Sequence, residues 1–203
     1  QSAVNGFNSL QALSPNLCKP FALNRSGITI GEGAGLLWLD KEPSSIFLAG
    51  YGESSDAYHI SSPDPTGLGA QRAMLEALRR AEINPSDVDY INAHGTATRL
   101  NDSAEAFAVH HIFGGSVPMT STKNLTGHTL GAAGITDAGL SLLLLENGPT
   151  PICGQFFGND SIDPSLPEAG ILCRNATVDA TYVMSNNFAF GGNNTSVIFG
   201  KQR

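Results

Sequence analysis

Two histidines in glycine-rich stretches are the residues whose types and spacing could do chemistry. His94 lies in "NAHGTAT", residues 92–98, and His128 ends "STKNLTGH", residues 121–128, and each has a glycine beside it. His94 follows a strand-like stretch and His128 precedes a helical one, where α/β folds place ligand sites. Two neutral imidazoles donating N–H groups to one point would stabilise an oxyanion or enolate. Spacing alone does not show that the rings meet, and a histidine bonded to backbone is the structural alternative for each.

Polar residues near the histidines could complete such a site. Lys123 would add positive potential, and Asp137 is its nearest candidate carboxylate, although a solvated surface lysine is the alternative reading. Thr96 and Thr98 alternate, so in an extended chain both hydroxyls face one side and suit a substrate amide. Their alternative is a structural role, because β-branched residues are common in strands.

Strand-like and helical stretches alternate along the chain. The predicted strands are an apolar run with a glycine cluster within 27–39, then 46–52, 88–93 and 117–122, and a hairpin of 181–187 and 195–200. Three helices are predicted. The first spans 68–83, and the second begins with a cap at Asn101 or Asp102, to which Glu105 returns a capping bond. The third spans 131–146 and is nearly all apolar, so it is expected to be buried on most sides. This order predicts an α/β sheet with helices on both faces.

Composition excludes several classes of function. The chain has 203 residues and a net charge of −7, which argues against a general nucleic-acid binder. The apolar run "LSLLLLENG" is far shorter than the roughly 20 residues of a membrane span, so no membrane association is expected. Three cysteines without metal-ligand spacing predict reduced, packed thiols in the cytoplasm. "GEGAG" precedes a strand-like run instead of following one, which argues against a dinucleotide loop.

Four stretches together resemble one family. "NAHGTAT…ND…AE", "STKNLTGH…LGAAG" and "SNNFAFGGNN" strongly resemble the C-terminal half of β-ketoacyl-[acyl-carrier-protein] synthases, and "FALNRSGITIGEGAGLLWL" resembles the segment that precedes those motifs. The resemblance implies the thiolase-like fold, two related α/β halves stacked as α-β-α-β-α layers. Residues 1–45 would be the tail of the N-terminal half and residues 46–203 the C-terminal half.

The resemblance also implies roles for individual residues. His94 and His128 would bind the malonyl thioester oxygen and stabilise the enolate formed on decarboxylation, with Lys123 organising the site electrostatically. The further implied roles are phosphopantetheine binding by Thr96 and Thr98, an aromatic gate at the acyl pocket with Phe188, Phe190 and Gly191, and structural or electrostatic support from Asp137, Asp102 and Glu105. Ala189 stands where the family has glycine, so a positive φ there would restrict the gate.

The implied reaction is a decarboxylative condensation of malonyl-carrier protein with an enzyme-bound acyl group, in fatty-acid or polyketide synthesis. The nucleophilic cysteine would precede Gln1, so this chain alone is expected to be inactive. The implied partners are acyl carrier protein, the N-terminal half, and a second subunit in a homodimer or heterodimer. No cofactor is implied, since the substrate travels on the carrier's phosphopantetheine. The alternatives are a non-catalytic chain-length factor and an inactive fragment or scaffold.

Overall fold

The computed structural model of the protein describes residues 2–155 and 161–202. Within these ranges the helices are α1 (Ser2–Ser9), α2 (Leu68–Ala81), α3 (Arg99–Phe113), α4 (Lys123–Thr126) and α5 (Ala133–Glu146). The strands are β1 (Ile46–Ser55), β2 (Tyr90–Asn92), β3 (Met119–Thr120), β4 (Thr150–Ile152), β5 (Ala176–Val178), β6 (Tyr182–Phe188) and β7 (Asn193–Lys201).

A five-stranded mixed sheet organises the molecule, in the order β1-β7-β6-β2-β3. β2 runs parallel to β3 and β6, whereas β7 is antiparallel to both β6 and β1. Successive side chains of a strand point to opposite faces of the sheet, so each strand contributes side chains to two hydrophobic cores. One core contains Ile91, Met184 and Ile198 and the other contains Tyr90, Val183 and Phe199.

Helices cover both faces of this sheet, which confirms the predicted α/β class. α2 and α3 form the first core through residues such as Met74 and Val109, both fully buried. α5 forms the second core through Ala138, Leu144 and Leu145. The prediction that α5 is buried on most sides is confirmed, with Leu140 and Leu143, 36% and 54% exposed, on its open side.

The predicted strand within residues 27–39 does not form. Ile28 and Ile30 make isolated bridges with Leu13 and His128, and residues 31–40 have no regular secondary structure. Leu36 and Trp38 are more than 80% exposed, so the apolar run has no sheet beside it in the described part of the chain. Apolar composition predicts a strand here, but the segment instead packs through its glycines against residues 126–136.

The predicted hairpin of β6 and β7 is confirmed, with its register running from Tyr182–Gly200 to Phe188–Asn194. The turn takes its positive φ angles at Gly191 (82°) and Gly192 (76°). Ala189 is not among the residues of positive φ, so the alanine causes no backbone strain there. Ala189 therefore lacks the positive φ that would restrict the gate, and an effect of Ala189 on gate motion stays a prediction.

Several shorter features were not predicted. α1, α4 and the two-stranded sheet of β4 and β5 are too short for a periodic pattern to reveal. Cys18 is buried as expected, but Cys153 and Cys173 are exposed, so the packing role is wrong for those two. No helix in the ranges 2–155 and 161–202 is long and apolar enough to cross a membrane.

Candidate active site

His94 lies two residues after the end of β2, in a buried turn. The carboxylate of Glu105, on α3, accepts the backbone N–H of His94 at 2.8 Å and that of Gly95 at 2.7 Å. Burial raises the pKa of Glu105 to about 7, against these two N–H bonds, which lower it. Glu105 therefore fixes the main chain at His94 and does not return the predicted capping bond to the start of α3.

Asp102 holds the other end of the same turn. Its carboxylate accepts the backbone N–H of Phe21 at 2.7 Å and of Ala97 at 3.0 Å, and it lies 3.7 Å from the buried Arg25 guanidinium. Burial raises the pKa of Asp102 to about 6, although these bonds and Arg25 oppose the rise. The prediction of a cap at Asn101 or Asp102 is wrong: α3 begins at Arg99, with Thr98 in the N-cap position.

His128 lies between α4 and α5, and the fold brings it to His94. The ring centroids are 5.3 Å apart and the planes are nearly perpendicular, at 85°. The ring of Phe188 lies 6.2 Å from that of His94. The sequence could not show that the two histidines meet. The structure places them edge to face in one site.

Both imidazoles are neutral at pH 7. Burial lowers the pKa of His94 well below its usual value, and Lys123 and His128 lower it further. Burial, with Lys123 as the second cause, lowers the pKa of His128 to about 4. The Nδ1 atom of His128 accepts the backbone N–H of Leu130 at 3.3 Å, which leaves the proton on Nε2. His128 is therefore a neutral N–H donor.

Lys123 and Asp137 form a buried ion pair beside the histidines. The Lys123 Nζ lies 3.0 Å from Asp137 Oδ2, and both side chains are 2% exposed. Thr122 donates its hydroxyl to Asp137 Oδ1 at 3.0 Å, which satisfies the second carboxylate oxygen. The surface-lysine alternative is thereby excluded. A fixed positive charge lies near the imidazoles, and it opposes their protonation.

The two threonines end on one side of the chain, but not by strand alternation. Ala97 between them has a positive φ of 65°, and the hydroxyls of Thr96 and Thr98 lie 3.0 Å apart. Thr96 is buried and Thr98 is half-buried. Phe190 is 47% exposed and its ring lies 5.8 Å from that of Phe7 in α1, while Phe188 is buried next to His94.

Ser121 joins the two histidine-bearing segments and was not singled out from the sequence. Its buried hydroxyl donates to the carbonyl of Gly95 at 2.8 Å and accepts the N–H of Lys123 at 3.3 Å. No periodic signal marks such a residue, because its role depends on contacts across the fold. Among the described residues there is also no cluster of three or more histidine, cysteine or acidic side chains suited to a metal ion.

Neutral N–H donors beside a buried cation are suited to stabilise negative charge that develops on a carbonyl oxygen. The family model "Beta-ketoacyl synthase, C-terminal domain" matches residues 46–156. The chain belongs to the β-ketoacyl synthase family.

Known relatives agree with this membership. The chain is 37% identical to the 3-oxoacyl-[acyl-carrier-protein] synthase 2 of Staphylococcus aureus strain COL, over 98% of this chain and 51% of that protein. The chain thus spans about half the length of the curated relatives it matches. The Arabidopsis thaliana mitochondrial 3-oxoacyl-[acyl-carrier-protein] synthase is 36% identical over 97% of this chain and 47% of its own length.

Solved structures show the same fold. One chain of the Xenorhabdus doucetiae complex of a ketosynthase (ApeO) with its chain length factor (ApeC) superposes with a TM-score of 0.96 at 52% identity, covering 98% of this chain and 50% of that chain. The ishigamide ketosynthase/chain length factor gives a TM-score of 0.91 at 32% identity, covering 100% of this chain and 51% of that chain. The thiolase-like fold class is therefore confirmed.

Proposed function

We propose that this chain supplies the enolate-stabilising site of a 3-oxoacyl-[acyl-carrier-protein] synthase. The observation that carries the proposal is the pair of neutral imidazoles, 5.3 Å apart, beside the buried Lys123–Asp137 ion pair. His94 and His128 donate N–H groups to the thioester oxygen of a malonyl group. Burial, with the positive charge of Lys123 as the second cause, keeps both rings neutral, so they serve as donors and not as acids.

The reaction begins when the bond between the malonyl carboxylate and the α-carbon breaks. Carbon dioxide leaves, and the electron pair of that bond moves toward the carbonyl, so negative charge collects on the thioester oxygen between the histidines. The α-carbon then bonds to the carbonyl carbon of an acyl thioester on a cysteine, and the cysteine thiolate leaves. That cysteine belongs to the N-terminal half of the complete enzyme, in keeping with the half-length match to the curated relatives.

The remaining site residues bind the substrate arm and the acyl chain. The adjacent hydroxyls of Thr96 and Thr98 bond the amides of the phosphopantetheine arm. Phe190 and Gly191 in the exposed turn between β6 and β7 form the gate, and the buried Phe188 lines the site next to His94. Acyl carrier protein delivers the substrates. The boundary between the tail of the N-terminal half and the C-terminal half, between residues 45 and 46, remains a prediction.

A chain-length-factor-like subunit is the second candidate, favoured by the likeness to two ketosynthase and chain length factor complexes. Such a non-catalytic subunit has no use for an enolate site. The presence of both histidines and of the buried ion pair therefore supports the synthase. The same complexes support a heterodimer with a chain length factor as the setting of this synthase.

Replacing His128 by alanine in the full-length enzyme tests the proposal. Loss of one preorganised donor lowers the rate of malonyl-carrier-protein decarboxylation by about 10²–10³-fold, while acyl transfer to the cysteine stays within about threefold. His110→Ala is the matched control, since the exposed ring of His110, on α3, bonds the carbonyl of Glu168. Decarboxylation that survives His128→Ala would refute the role, and a complete chain without a cysteine nucleophile would favour the second candidate.

A further inference from the structure

The glycine-rich segment "GEGAG", which is not a dinucleotide loop, lies directly against the His128 segment. Gly31, Gly33 and Gly35 alternate in the sequence, and a Cβ atom on each of them would point at the segment 126–136. None of them has a φ in the left-handed region, so the backbone there suits any residue. Glycine is therefore needed at these positions because the neighbouring atoms leave too little room for a Cβ atom.

Each of the three glycines faces a different part of the segment 126–136, which contains His128 and ends next to Asp137. A Cβ atom on Gly31 would lie 2.2 Å from the carbonyl oxygen of Thr126 and 3.1 Å from the Cα of Gly127. A Cβ on Gly33 would meet Thr129 and Thr136 side-chain atoms, both at 3.1 Å. A Cβ on Gly35 would lie 2.6 Å from Ile135 Cγ1.

Main-chain hydrogen bonds join this segment to His128 itself. The N–H of His128 donates to the carbonyl of Thr29 at 2.7 Å, and the N–H of Gly31 donates to the carbonyl of His128 at 3.0 Å. Both backbone groups of His128 are thus bonded to one short segment. The approach is reciprocal, since a Cβ on Gly127 would lie 2.7 Å from Gly31 Cα.

We infer that Gly31, Gly33 and Gly35 form a positioning element, the glycine ladder, which sets where His128 stands relative to His94. The ladder holds the main chain of His128, and Leu130 orients its ring. Further along, the ladder packs on Ile135 and Thr136, next to Asp137, so it also places the partner of Lys123. These residues touch no reacting atom and act through His128 and Asp137. The inference rests on the proposed function.

Gly31→Ala in the full-length enzyme is the test, because its Cβ displaces the main chain at Thr126 and Gly127. Misplacement of a reacting group by about 1 Å costs on the order of 10²-fold in rate. We expect kcat for malonyl-carrier-protein decarboxylation to fall by about that factor. The KM for malonyl-carrier protein and the rate of acyl transfer to the cysteine should stay within about threefold.

Gly50→Ala is a matched control for steric damage alone. A Cβ on Gly50, in β1, would lie 2.3 Å from the carbonyl oxygen of Ala77, and its nearest neighbours are all in α2. Both variants should lose thermal stability, but only Gly31→Ala should lose decarboxylation selectively. Equal losses of decarboxylation in the two variants, or an equal loss of acyl transfer in Gly31→Ala, would overturn the inference.

Gly33→Ala keeps the inference testable if Gly31→Ala does not fold. Its Cβ meets only a methyl group and a hydroxyl, so the protein folds and decarboxylation falls by about 3–10-fold with acyl transfer unchanged. Unchanged decarboxylation in Gly33→Ala would then refute the ladder. His128→Ala, measured in parallel, separates the two ideas. If His128→Ala abolishes decarboxylation and the glycine variants do not, the ladder alone is wrong, whereas activity in His128→Ala refutes the proposed function.

Discussion

Asp137→Ala is the perturbation that tests the electrostatics of this site most directly. The variant leaves Lys123, which is 1% exposed, without a counter-charge. Removing one partner of a buried ion pair costs about 3–5 kcal/mol, because an uncompensated charge remains in the interior. For a chain of 203 residues this corresponds to a fall in melting temperature of about 6–20 °C. Urea denaturation and thermal melting measure both quantities.

A double variant separates the effect of the Lys123–Asp137 ion pair on stability from its effect on decarboxylation. The double variant Lys123→Met with Asp137→Leu removes both charges, and such replacements are often neutral or stabilising. We expect the double variant to regain stability but not decarboxylation, because the fixed positive charge is gone.

Glu76→Ala is the control for an ordinary ion pair. Glu76 bonds Arg79 and Arg80 at the surface of α2, and such exposed pairs contribute little to stability. The reasoning fails if Asp137→Ala costs less than about 1 kcal/mol, or if the double variant decarboxylates at the wild-type rate.

Two further predictions concern Glu105 and His128. Glu105→Gln turns an amide N–H₂ toward one of the two backbone N–H groups that now donate to the carboxylate. We therefore expect the free energy of unfolding, measured by urea denaturation, to fall by about 1–3 kcal/mol and decarboxylation to become slower. An unchanged rate of decarboxylation would refute the positioning role of Glu105. The pKa of His128 is about 4 in the folded chain and near 6.5 in the unfolded chain, so its contribution to stability is present above pH 6.5 and is lost as pH falls toward 4. Between pH 6.5 and pH 4, the free energy of unfolding of the wild type should fall by at most about 1.4 kcal/mol per pH unit more than that of His128→Asn. Equal slopes of unfolding free energy against pH in the two proteins would contradict the burial of a neutral ring.

The long periodic segments of this fold could be predicted from the sequence. α2 and the hairpin of β6 and β7 form where their patterns indicate, because one apolar face at the right period is enough to specify a helix or strand. The strand predicted within residues 27–39 is wrong, because apolar residues also occur at 31–40, where the chain pairs with no strand of the described residues. The start of α3 was misplaced because Asp102 and Glu105 bond distant backbone groups and not the helix end.

The sequence by itself determined the residue types of the site, the α/β class and the resemblance to condensing enzymes, because these depend on local patterns and on the order of motifs. Tertiary structure alone decided that His94 meets His128, that Lys123 pairs with Asp137, and that Ser121 bridges the two segments. It also decided that both imidazoles are neutral, since their pKa values depend on burial and on a charge that arrives from another segment. Contacts between residues far apart in the chain arise from the packing of helices on a shared sheet, which no local pattern records.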